Sequence, residues 1–142
     1  MLKNLLIFSL AAVLAVGAGY ADQANSKVVI PLKPTAPVSG KQMYTNYCAP
    51  CHGVDGTGNG PVATALKQPP VDLTVLSKNN GGKFPSSHIV AVLQYGTQIP
   101  SHGTAQMPVW GPVLGKMDKA STQESQLRIS NLSRFLQTIQ TR

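Results

Sequence analysis

Residues 46–56, NYCAPCHGVDG, hold both cysteines of this 142-residue chain and one of its three histidines. Cys48, Cys51 and His52 fall within five positions. Four chemistries use such a cluster: a disulfide, a bare metal site, a redox thiol pair or a covalent haem. A Cys48–Cys51 disulfide closes a loop too small to stabilise a fold. A thioredoxin-like pair belongs between a strand and a helix, and no strand-like run precedes Cys48. Structural zinc takes four ligands, and His88, His102 and scattered carboxylates supply no second pair.

The haem reading accounts for every residue of the string, because C-x-x-C-H is the spacing of c-type haem attachment. Two thiols three residues apart at a helix end reach one side of a macrocycle and add across its two vinyl groups. The adjacent His52 then lies under the iron, for which neutral imidazole is a good ligand. The expected cofactor is one covalent haem c, bound through Cys48 and Cys51.

The N-terminus points to export. Lys3 precedes an apolar run, Leu5 to Val16, broken only by Ser9, and small residues follow up to Ala21. This is the order of a secretory signal peptide, with cleavage expected after Ala21, or alternatively after Ala18. The run is shorter than the ~20 residues of a membrane span, so membrane association is expected only if the leader stays uncleaved. The expected location is the periplasm.

Twelve Lys/Arg face five Asp/Glu, and losing Lys3 with the leader takes the formal charge from +7 to +6. The basic residues are scattered singly, without the clusters or aromatic–basic motifs of nucleic-acid binding. Dispersed positive charge suits steering toward an acidic partner, and simple solubility accounts for it equally.

Three units are expected: a signal peptide (1–21), a Pro-rich extended segment (22–38) and a helical domain (39–142). Pro31, Pro34 and Pro37 recur every third residue, which favours an extended tether or a strand wrapped on the domain. A domain of about 104 residues buries only ~60–70% of its extended surface, so a large prosthetic group would complete its core.

Within that domain Ser39 is a candidate N-cap. Met43, Tyr44 and Tyr47 follow at helical spacing. Gly53 to Pro61 reads as a tight glycine loop, and Asp72 to Ser77 as a short helix. Ser86 or Ser87 is expected to cap a helix reaching Tyr95, with Ile89, Val90 and Leu93 buried. Gly96 to Lys119 lacks periodicity and reads as an irregular functional segment. Ser121 to Glu124 fits a capping box, followed by the stripe Ile129, Leu132, Phe135, Leu136 and Ile139. No strand-quality run appears, and the fold class is all-α.

Two ligand questions stay open at this level. His52 needs an acceptor for its other ring nitrogen; the Pro61 carbonyl is a candidate, or Gly60-Pro61 is only a turn. The sixth ligand is to be chosen among Met107, Met117, His88, His102 and Met43. Met107 is favoured over His102, because it lies in the irregular segment and Pro108 stiffens it.

Through SGKQMYTNYCAPCHGVDGTGNGP, QMPVWGP and the last helix, residues 39–142 resemble a class I monohaem c-type cytochrome. The resemblance implies three to five helices around one haem, with the first and last helices crossing at Gly40 opposite Leu132 or Phe135. It implies His52 and Met107 as axial ligands, Pro61 as the acceptor for His52, and Trp110 beside the haem or a propionate. Two filled axial positions leave no open site for a substrate, so the implied role is electron transfer with redox proteins and not catalysis. A haem subunit of a dehydrogenase or oxidase, and a ligand sensor in which Met107 leaves the iron, are the alternatives.

Overall fold

Ser39 begins the first helix: its Oγ accepts a hydrogen bond from the Gln42 amide, satisfying one of the donors a helix start leaves free. Helix α1 (Gly40–Met43) passes through a wide π turn (Tyr44–Cys48) into α2 (Ala49–His52). Pro50 explains the wide turn. It has no N–H, and in a regular helix its ring would collide with the carbonyl four residues back. The computed structural model describes residues 32–96, 107–117 and 121–141. The leader, residues 22–31, His102 and Arg142 lie outside the described residues.

After a glycine loop come two 3-10 turns, Ala63–Ala65 and Leu73–Val75, the second running into α3 (Leu76–Asn79). Asp72 caps that second turn by accepting from the Thr74 amide and hydroxyl, each at 2.7 Å. Helices α4 (Ser86–Tyr95), α5 (Trp110–Gly115) and α6 (Thr122–Thr138) complete the described fold, which contains no strand. It is all-helical, as expected. The core lies around α6, against which α1, α4 and α5 all pack.

The first and last helices cross at Gly40. A Cβ on Gly40 would meet the Asn131 backbone and come within 2.9 Å of Phe135 Cβ. Asn131 and Phe135, rather than Leu132, form the contact. Leu132 lies fully buried beside it with Ile129 and Leu136, while Tyr44 packs its ring on Phe135 with centroids 5.1 Å apart.

Several elements depart from their sequence expectation. Neither Ser86 nor Ser87 caps α4, whose N-cap is Pro85 without a side-chain bond. Val90 faces solvent at 37% exposure, while Ile89 and Leu93 are buried. Helix α5 interrupts the segment expected to be irregular. Its two glycines and Pro112 hide it from propensity, and burial of Trp110 and Leu114 holds it. At α6, Ser121 Oγ accepts from the Glu124 amide, but the Glu124 carboxylate pairs with Arg128 at 2.9 Å.

Residues 32–38 form a strap on the helices. Tyr47 donates its hydroxyl to the Lys33 carbonyl at 2.6 Å. Arg128 donates to the Thr35 carbonyl at 2.7 Å, and the Asn131 amide to the Pro37 carbonyl at 3.1 Å. Thr35 is 6% exposed. Packed chain thus extends upstream of Ser39, as far as Lys33.

Candidate haem site

The first helix delivers the three motif residues from its C-terminal end. Cys48 closes the π turn and is buried, Cys51 is half-buried in α2, and His52 is the last residue of α2. Both cysteines are free. Burial, and then the neighbouring Cys51, pushes the Cys48 thiol up to about 12, and burial raises Cys51 as well. Reactive redox and metal-binding cysteines have lowered values that expose a thiolate; this pair has the opposite environment. Among the described residues no group of three or more His, Cys, Asp or Glu side chains is gathered to hold a metal ion.

The loop after α2 folds back onto it. Gly58, Gly60 and Val62 donate their amides to the carbonyls of His52, Cys51 and Pro50 at 2.8, 3.0 and 3.0 Å. They satisfy helix-end acceptors that would otherwise lack partners. Gly60 is required for this approach, because a Cβ there would collide with the Pro50 and Cys51 carbonyls. Asp55 braces the loop by accepting from the Thr57 amide and hydroxyl and from Asn59. The Leu73 amide then bonds the Gly56 carbonyl at 2.7 Å, drawing residues 70–73 against the loop.

This last tie decides the orientation of His52. The carbonyl that meets His52 Nδ1, at 3.0 Å, belongs to Val71 and not to Pro61. Pro61 is exposed, and its neighbours Gly60 and Val62 spend their amides on α2. A carbonyl can only accept, so Nδ1 carries the proton. Burial lowers the pKa of His52, against the raising effect of the Val71 bond, which favours the neutral ring. The Nε2 lone pair of that tautomer is free to bind a metal. Two thiols and one oriented imidazole at a single helix end are the donor set a covalently held haem requires.

The other predicted residues take definite places. Met107 is half-buried against the core, just ahead of α5. Trp110 is 3% exposed and stacks on Tyr47 with centroids 5.7 Å apart and planes 24° from parallel. Met117 is buried, its sulfur 3.4 Å from the Tyr47 hydroxyl. Met43 is fully buried, and His88 is exposed on α4. Lys41, Lys67, Lys78, Lys83 and Lys116 are all exposed.

Residues 35–122 match the family model described as cytochrome c oxidase, cbb3-type, subunit III. The chain belongs to this family. Its domain is a cytochrome c domain of the class I-like monohaem kind, its cofactor is haem c, whose attachment motif the Cys48–Cys51 pair fits, and the activity such a domain implies is haem-based electron transfer. No curated protein sequence matches the chain. Among solved structures, a chain of the Kuenenia stuttgartiensis reducing HAO-like protein complex is similar at 24% identity and a TM-score of 0.42. The similarity covers 76% of this chain and 45% of that one, so the cytochrome domain spans less than half the length of that structure. None of the described helices is long and apolar enough to cross a membrane.

Sequence reasoning missed Val71, Tyr47 and Arg128. Val71 acts through its backbone, which every residue type offers alike. Tyr47 read as one more apolar position beside Cys48. Arg128, 1% exposed in the core, is a charged residue that falls on the same face of the last helix as the apolar stripe, one position before Ile129 and four before Leu132.

Proposed function

We infer that this cytochrome is an exported one-electron carrier whose haem iron is ligated by His52 and Met107. When bound, haem c supplies an Fe(III)/Fe(II) couple, and the chain's own residues set its position and potential. Cys48 and Cys51 fix the macrocycle at the end of the first helix. His52 presents Nε2 in the tautomer that the Val71 carbonyl holds, and that bond makes the imidazole a stronger donor. Met107 offers a soft thioether, which favours ferrous iron and raises the potential. The sulfur of its competitor Met117 is buried against the Tyr47 hydroxyl at 3.4 Å, which supports Met107. The observation that carries the reading is the His52–Val71 bond beside two free thiols. Trp110 packs next to Cys48 through Tyr47, at the edge of the haem environment.

With both axial positions filled, the site has no place for a substrate and works as an electron relay. The exposed side chains of Lys41, Lys67, Lys78, Lys83 and Lys116 suit redox partners with acidic docking surfaces, met in the periplasm after removal of residues 1–21. Met107→Ala is the test. It abolishes the near-infrared methionine-to-iron charge-transfer band and lowers the reduction potential. If both stay unchanged, the ligand is His102 or Met117 instead.

The family match supports a second reading, in which the domain is a permanently bound haem subunit of an oxidase or dehydrogenase complex. Co-purification with a larger subunit under native conditions favours it, and a monomeric haem protein in the native extract favours the free carrier.

A further inference from the structure

Tyr47 joins the two sides of the site. It directly precedes Cys48, on the helix that anchors the haem and supplies His52. Its ring stacks on Trp110, the first residue of α5, three positions after Met107. Its hydroxyl lies 3.4 Å from the sulfur of Met117, just past the other end of α5. The same hydroxyl bonds the Lys33 carbonyl at 2.6 Å and Thr35 Oγ1 at 2.9 Å in the strap. One buried side chain therefore ties the cysteine helix, both ends of α5 and the strap together. Arg128 reinforces the strap by donating to the carbonyl and the hydroxyl of Thr35 at 2.7 and 3.2 Å.

Resting on the Met107 reading above, we propose that Tyr47 is a positioning residue for the distal ligand, clamping the segment after Met107 so that the thioether stays on the iron. Met107 is separated from the Trp110 anchor only by Pro108, which has a restricted backbone, and Val109. Loosening α5 is thus transmitted to Met107 over a short, stiff link. A ligand held this way competes with any added ligand in proportion to how well its segment is held. Removing the hydroxyl leaves the stack with Trp110 in place but takes away the contact with Met117 and the tie to the strap, and it deprives the Lys33 carbonyl of its donor.

The test is imidazole binding to the ferric holoprotein, read from the loss of the methionine-to-iron band. Tyr47→Phe keeps covalent haem and the band, and binds imidazole about three- to tenfold more tightly than wild type, the equivalent of one lost hydrogen bond. Thr35→Val, which removes one hydroxyl of the network and nothing from the stack, shifts the affinity in the same direction by less. Leu136→Val, two helical turns beyond Arg128 on α6, lowers the melting temperature and leaves the imidazole affinity unchanged. The proposal fails if Tyr47→Phe and Thr35→Val bind imidazole as wild type does, or if Leu136→Val shifts the affinity as much as Tyr47→Phe. If the wild-type protein lacks the band altogether, the Met107 reading fails first, and the role of Tyr47 falls with it. Should Tyr47→Phe fail to fold, Thr35→Val against Leu136→Val decides the matter.

Discussion

His52 donates from Nδ1 to the carbonyl of Val71 across 3.0 Å and nineteen residues of chain. That carbonyl is held in place by loop contacts and not by its own side chain. Gly58 packs against the neighbouring Pro70 carbonyl so closely that a Cβ would collide with it, and it has a φ of +91° that L side chains rarely adopt.

Gly58→Ala therefore displaces residues 70–71 from His52. The strained backbone costs about 1–3 kcal/mol, read as a lowered midpoint in denaturant. The imidazole also loses its acceptor and becomes a weaker donor, so the reduction potential rises. An unchanged potential in a folded, haem-loaded variant would show that the Val71 bond does not tune the iron.

Gly40→Ala tests the helix crossing. The added methyl meets the Asn131 backbone and Phe135 Cβ, neither of which is the flexible end of a side chain. Overpacking of this kind costs about 1–3 kcal/mol. Chemical denaturation of the holoprotein measures it, and a stability equal to wild type would mean that α1 and α6 slide apart freely.

Arg128 is buried with a single carboxylate partner, Glu124, and its Nε atom has no hydrogen-bond partner. Arg128→Ala removes the charge that holds Thr35 and leaves a cavity. The expected loss is about 2–4 kcal/mol, with residues 32–38 becoming sensitive to protease. Arg128→Met keeps the volume and removes the unpartnered nitrogen, so it loses less than Arg128→Ala. Equal losses in the two variants would assign the whole effect to the lost hydrogen bonds.

Asp55 carries a pH dependence. The Thr57 amide and hydroxyl, helped to a lesser degree by Asn59, hold its carboxyl below the ordinary value of 3.8, against the opposing effect of desolvation. A depressed carboxylate contributes stability that is complete above the unfolded value and is lost as pH falls through the folded one. Melting temperatures of wild type and Asp55→Asn should therefore differ at neutral pH and converge as the pH drops below 3.8. A gap that persists unchanged in strong acid would rule out the carboxylate as its source.

How much of this was legible beforehand follows from where each interaction is written. The haem motif, the caps at Ser39 and Ser121 and the apolar stripe of α6 are local patterns of side-chain type, each written in one short stretch of sequence. Helix α5 was not legible, since Trp110 and Leu114 gain their stability only by burial against distant chain and the local residues disfavour a helix. Placing the acceptor for His52 at Pro61 went wrong for a related reason. Pro61 is near in sequence, but the amides on either side of it are consumed by the carbonyls of α2, and the loop closes through Gly56 and Leu73 instead.

By itself, then, the sequence determined the chemistry of the NYCAPCHG string: a covalent haem socket on an all-helical domain. Only the tertiary structure decided which carbonyl orients the imidazole, that residues 32–38 are bound to α1 and α6, and that Tyr47 links both sides of the site. The link through Tyr47 rests on a ring stack and a sulfur contact; the other two are contacts to backbone oxygens, some across more than ninety residues of chain. Every residue carries such an oxygen, so the choice among them leaves no trace in the pattern of side chains and is made when the chain packs.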